Sequence, residues 1–93
     1  MNIQHKSVGS KGMFYVEVEN KKLAEMTYSK AGDELIIIDH TEVDESLKGK
    51  GVGKQLVAAA VKHARENHLK ILPLCPFANA VFEKTPEFQD VLR

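Results

Sequence analysis

Residues 35–64 read LIIIDHTEVDESLKGKGVGKQLVAAAVKHA, and the change of period inside this stretch decides the fold. Leu35-Ile36-Ile37-Ile38 is a β-branched run apolar on both faces, which suits a central strand, and it continues through Asp39-His40-Thr41-Glu42-Val43. Asp44-Glu45-Ser46 makes a polar exit. From Val52 the period changes: Leu56, Val57, Ala60 and Ala64 recur at helical spacing, with Lys54, Lys62, Arg65 and Glu66 on the other side. Such a segment predicts a helix of about 17 residues, roughly 25 Å long, ending near Asn67-His68.

Downstream, Lys70-Ile71-Leu72-Pro73-Leu74-Cys75 reads as a short strand, and Pro73 places it at an edge or an interrupted ladder. Strand, helix and strand then form a right-handed crossover with the two strands parallel. Pro76 suits the first turn of a second helix, with Phe77, Ala78, Val81 and Phe82 as its apolar residues. Thr85-Pro86-Glu87 breaks that helix, and Phe88 to Leu92 forms a terminal turn. Upstream, Phe14, Val16 and Val18 alternate with Tyr15, Glu17 and Glu19, the period of a half-buried strand. Glu19 to Lys22 predicts a hairpin turn, Leu23 to Tyr28 a second strand, and Ala31-Gly32-Asp33 another turn. The expected class is α+β: three or four antiparallel strands, a β-α-β crossover and short C-terminal helices around a mixed sheet.

Ninety-three residues are read as one domain over 1–93, with no separate acceptor lobe. Lys plus Arg equals Asp plus Glu at 13 each, which argues against a dedicated nucleic-acid binder. Cys75 is the only cysteine, excluding an internal disulfide and any zinc site built on several cysteines. No run approaches membrane-spanning length, and Met1 to Lys6 has no apolar core of a leader. A cytoplasmic, soluble monomer without membrane or nucleic-acid partners is expected.

Lys48-Gly49-Lys50-Gly51-Val52-Gly53 lies between the strongest strand and the strongest helix. Glycines there let the backbone turn sharply and approach a ligand closely. The helix leaves its first amides unpaired, and its dipole puts partial positive charge at the same end. Lys48, Lys50 and Lys54 add full charges, so the loop suits a phosphate or diphosphate. It is not a Walker A loop, because Gln55 follows Lys54 where the magnesium-binding hydroxyl belongs. The dinucleotide fingerprint also fails, since Lys54-Gln55-Leu56 supplies no final glycine and the chain lacks repeated βαβ units.

Val43 to Leu56 resembles motif A of the GCN5-related N-acetyltransferases, with Lys48 in the usual Arg/Gln place. The match is closest to a compact subfamily in which His40-Thr41, the glycine loop and Cys75-Pro76 occur together, and it covers about Phe14 to Phe88. The resemblance implies acetyl-CoA held between the strand ending at Val43 and the strand ending at Cys75. Backbone groups of Thr41 and Val43 would bond the pantetheine arm. The glycine loop, Lys48 through Lys54 with Gly49, Lys50, Gly51, Val52 and Gly53, would hold the pyrophosphate. Ile37 stands where many members carry a glutamate base, Phe82 where many carry a tyrosine acid, and Cys75 where an asparagine is common.

The resemblance also places His40 and Cys75 near the acetyl end, as candidate catalytic residues. A thiolate stabilised by a nearby imidazole can accept an acetyl group; alternatively, His40 serves as general base for an amine. Glu42 is a weaker base candidate. His5, His63 and His68 read as surface residues, and no histidine pair has metal-ligand spacing, so no metal is expected. The expected function is acetyl-CoA-dependent N-acetyl transfer to a small or flexible amine, with a non-catalytic acetyl-CoA-binding or sensing module as the alternative.

Overall fold

The computed structural model describes residues 2–93. The chain runs β1 (Gln4–Val8), β2 (Lys11–Val18), β3 (Lys21–Lys30), β4 (Leu35–Val43), a 3-10 turn (Glu45–Leu47), α1 (Val52–Asn67), β5 (Lys70–Pro73), α2 (Pro76–Lys84) and a second 3-10 turn (Pro86–Val91). The five strands form one sheet in sequence order; β1 to β4 are antiparallel neighbours, and β5 pairs with β4 in parallel. The α+β mixed sheet expected from the sequence is the observed fold. It has a strand at Gln4–Val8 ahead of the first expected one. Strand β5 stops at Pro73 rather than Cys75, because the Leu74 and Cys75 amides both donate to the Ile38 carbonyl, at 3.0 and 3.2 Å, where the chains part.

Local chemistry explains the elements. Glu19 and Asn20 both have positive φ, the two-residue hairpin turn that matches strand twist. Pro76 opens α2, where a missing N–H is harmless. His68 adopts the left-handed conformation and closes α1 with its amide on the Ala64 carbonyl. The core gathers on one face of the sheet: Phe14 and Val16, Ala24, Met26 and Tyr28, Ile36 and Ile38, and Ile71 meet Leu56, Val57, Ala60, Val61 and Ala64 of α1, with Ala78 and Phe82 of α2. Side chains facing the other way are half-buried or exposed along all five strands, so both helices pack on one side. Among the described residues no helix is long and apolar enough to cross a membrane.

One irregularity in β4 positions the site. The ladder with β3 pairs Tyr28 with Ile38 but Thr27 with His40, leaving Asp39 as an extra residue. A bulge of this kind resets which residues face the core. Before it, Ile36 and Ile38 point inward; after it, Thr41 and Val43 do, because they lie opposite the inward-facing Met26 and Ala24. His40 and Glu42 lie opposite Thr27 and Glu25 and face outward.

Candidate functional site

Parallel pairing of β4 with β5 ends at Ile38 and Pro73, yet β4 continues to Val43. Past Ile38 the strand is paired only on its β3 side, so the edge that would face β5 presents backbone donors and acceptors without a ladder partner. The gap opens into a cleft of about 640 Å³ lined by Thr41, Glu42 and Val43 of β4, by Leu47 to Gly49 and Gly51 to Lys54, and by Phe77 and Val81 of α2. Every residue expected to bind the cofactor lines it except Lys50, which lies in the same loop.

The three glycines of the loop do different work. Gly49 and Gly51 have φ of 82° and 70°, where an L side chain is strained, and neither has a neighbour that a Cβ would strike. Gly51 is the residue before α1 and provides no side-chain cap, so the first amides of the helix stay available. Gly53 is helical and buried, and a Cβ on it would overlap the Phe77 ring. Its role is to let Phe77 lie across the start of α1. Lys48 is partly engaged with Glu45, at 3.2 Å. Lys50 and Lys54 have no ion pair among the described residues.

Phe77 and Val81 are residues that sequence reasoning assigned only to an apolar helix face. The spacing carries two stripes: Ala78 and Phe82 go to the core, while Phe77, 44% exposed, and Val81 form a wall of the cleft. Two i, i+4 pairs one residue apart are visible in the sequence, but which pair faces inward is not.

The two candidate catalytic side chains are not brought together. Cys75 is buried, precedes the first turn of α2, and donates its thiol hydrogen to Thr41 Oγ1 at 3.4 Å. Burial pushes the thiol pKa up, but the Thr41 hydroxyl, the Ala78 and Phe77 amides and the Thr41 backbone favour the thiolate, and the net direction is down. The sulfur closes no capping hydrogen bond on α2, so those amides act as nearby dipoles. His40 faces the opposite side of the sheet and lies 3.3 Å from Glu42 Oε2, with both side chains exposed. The geometry therefore pairs Cys75 with Thr41 and His40 with Glu42.

At the far end of α1, His5 is exposed, as the sequence suggests, and His63 is half-buried, and the two join an aromatic cluster. His5 stacks on Phe14 at a centroid distance of 4.3 Å, meets the His63 ring at 4.7 Å, and bonds the Tyr28 hydroxyl at 2.6 Å. Burial, then the neighbouring His63, lowers the His5 pKa. Burial also lowers that of His63, with Glu66 opposing and Lys30 adding to the shift. Their spacing of 58 residues gives no local pattern, so the pairing is visible only once β1 folds against α1. Among the described residues no cluster of three or more potential metal ligands occurs.

Residues 13–91 match the GCN5-related N-acetyl-transferase family. The chain is similar to the solution structure of a GCN5-like protein from Staphylococcus aureus, at 46% identity over 99% of this chain and 89% of that one, with a TM-score of 0.75. It has the fold of a ribosomal-protein-alanine N-acetyltransferase from Brucella melitensis, at 17% identity over 81% of this chain and a TM-score of 0.65. It shares that fold with an acetyltransferase from Elizabethkingia anophelis solved with acetyl-CoA bound, at 15% identity over 81% of this chain and a TM-score of 0.62. The match spans only 60% and 52% of these last two proteins. No curated protein matches the sequence.

Proposed function

The chain belongs to the GCN5-related N-acetyltransferase family, and on that premise we propose that it binds acetyl-CoA in the cleft beside β4 and passes the acetyl group to an amine. The observation that carries this reading is one continuous cleft that joins an unpaired strand edge to the open N-terminus of a helix. An extended chain of amides, the pantetheine arm, fits the first, and a diphosphate fits the second.

In this reading the α1 amides after Gly51, with Lys50 and Lys54, hold the pyrophosphate, and Lys48 contributes a charge shared with Glu45. Backbone groups of Thr41 and Val43 hold the pantetheine, against Phe77 and Val81. The bound molecule supplies an acetyl thioester. The Thr41–Cys75 pair stands at the closed end of the gap, on the core side. His40, oriented by Glu42, takes the proton of an ammonium group arriving from the outer side, so that the nitrogen lone pair is free. Cys75 as an acetyl acceptor is a less direct route, since its sulfur bonds Thr41 and, among the described residues, no imidazole.

A binding module without turnover is the second reading, favoured by the side chain at Phe82. It is fully buried and has no proton to donate to a departing thiolate. Two measurements separate the readings. Titration with acetyl-CoA should move the backbone amide resonances of Gly51 and Gly53 saturably; still resonances would refute the cleft itself. Release of free CoA with a panel of primary amines supports transfer, whereas binding with no release across that panel identifies the module.

A further inference from the structure

The face of the sheet turned away from α1 and α2 carries a second groove, of about 350 Å³, crossing β1, β2 and β3. Met13 lies along it, Val8, 84% exposed, stands at its far end, and Asp39 of the β4 bulge closes the near end. Asp39 is held there as an acceptor, by the Thr27 hydroxyl and, at 3.5 Å, by the Ser29 hydroxyl. Thr27 lines the groove and is also the cross-strand partner of His40. The groove therefore ends beside His40, whose partner Glu42 also reaches the rim of the cofactor cleft. The bulge produces this arrangement: without the extra residue, Asp39 and His40 would face opposite ways.

We propose that this groove is the acceptor site and takes a primary ammonium carried on a small apolar body. The inference rests on the acetyl-transfer reading, and the chemistry of the lining sets the class. Most of the groove surface is apolar, between Met13 and Val8, which suits a hydrocarbon or aromatic body. The end beside His40 offers the Asp39 carboxylate, with Glu42 beyond it and Glu25 facing Glu42 across the ladder. Lys22 lies on the same surface as Glu25 and Glu42 and offsets their charge, whereas Asp39 has no ion pair among the described residues. Lys6 and Lys11 border the groove on its β1 and β2 side, away from Glu42, and Lys11 is tied to Ser29 at 2.8 Å. The charge order thus points a bound ammonium toward β4, where His40 can deprotonate it. The volume lies near the lower limit of ordinary ligand sites, so the body is small.

The test uses the full chain labelled with methyl-13C methionine. Met13 lies in the groove, and the fully buried Met26 is an internal reference. Phenethylamine hydrochloride at neutral pH should shift the Met13 methyl saturably and leave Met26 still. Phenethyl alcohol, with the same body and no charge, should bind at least fivefold more weakly. Asp39→Asn should remove that preference, and Val8→Ser, at a highly exposed position, should weaken both ligands. A still Met13, equal affinity for amine and alcohol, or a preference unchanged in Asp39→Asn would overturn the proposal. So would a Met13 shift that depends on protein concentration, which marks a second copy as the occupant. Acetyl-CoA titrated into the 15N-labelled chain reports on the Gly51 and Gly53 amides, so failure of the groove and failure of the cofactor reading are told apart.

Discussion

The two ends of α1 are built on opposite principles. At its C-terminus the protein satisfies itself. The His68 and Leu69 amides both return to the Ala64 carbonyl, His63 sits among His5, Phe14 and Tyr28, and Arg65 is clamped to Asp90 at 2.7 Å. At its N-terminus there is no side-chain cap and no acidic residue in the first turn, two lysines make no ion pair among the described residues, and a cleft opens alongside. A helix has unpaired backbone groups at both ends. What differs is whether the chain or a ligand supplies the partners, and that difference separates the structural end from the functional one.

The largest effect should come from making the open end anionic. In Gly51→Asp a carboxylate enters the position where a diphosphate would sit, on a backbone with φ of 70° that disfavours any side chain. Acetyl-CoA affinity measured by calorimetry should fall by about a hundredfold or more, equivalent to about 2.8 kcal/mol. Folding stability should drop by about 1 kcal/mol, since only the backbone preference is lost. Affinity within a fewfold of the parent chain would erase the distinction between the ends.

Gly53→Ala separates packing from binding at the same end. The new methyl overlaps the Phe77 ring, and overpacking of this kind costs about 1–3 kcal/mol. Urea denaturation should show that loss, and adding Phe77→Leu should recover most of it. If Phe77→Leu restores no stability, Gly53 is required for something other than this contact.

The sequence carries these two ends unequally. The open end is legible because its parts are contiguous: a β-branched strand, three glycines among lysines, and a helical period. The bulge at Asp39 also leaves a trace, since the inward apolar phase moves from Ile36 and Ile38 to Thr41 and Val43. A polar Thr41 makes that slip easy to miss, and so His40 reads as a neighbour of Cys75 when it faces the other way. The aromatic cluster at the closed end joins β1 to α1 across 58 residues, and no local period announces such a contact. Likewise, Phe77 and Val81 read as core until the direction of α2 is known.

The cluster at the closed end makes a pH prediction. His5 and His63 have folded pKa values below the usual 6.5, so the unfolded chain binds more protons in this range. The stability tied to their neutral forms is complete above pH 6.5 and is lost as pH falls through the lowered values. Lys30 adds to the repulsion and Glu66 offsets part of it; Tyr28, held neutral by burial, adds no charge in this window. Urea midpoints measured from pH 7.5 down to 5 should decline, and His5→Phe, which keeps the stack on Phe14, should flatten the decline. An equal slope in that variant would place the dependence elsewhere.

The smallest effect is the mirror image of the first. His68 ends α1 with φ of 57°, a conformation that glycine adopts without a Cβ penalty and that helices favour just past their last turn. Its imidazole is exposed and makes no hydrogen bond among the described residues, so nothing but the ring is lost in His68→Gly. The gain from removing the strain is set partly against the greater freedom of glycine in the unfolded chain, which leaves about 0.5 kcal/mol of added stability. Acetyl-CoA affinity should not change. Glycine would then be replaceable only at a loss of binding at one end of the helix, and would be a mild improvement at the other. A destabilised His68→Gly, or one with altered affinity, would show that the closed end also does more than hold the fold.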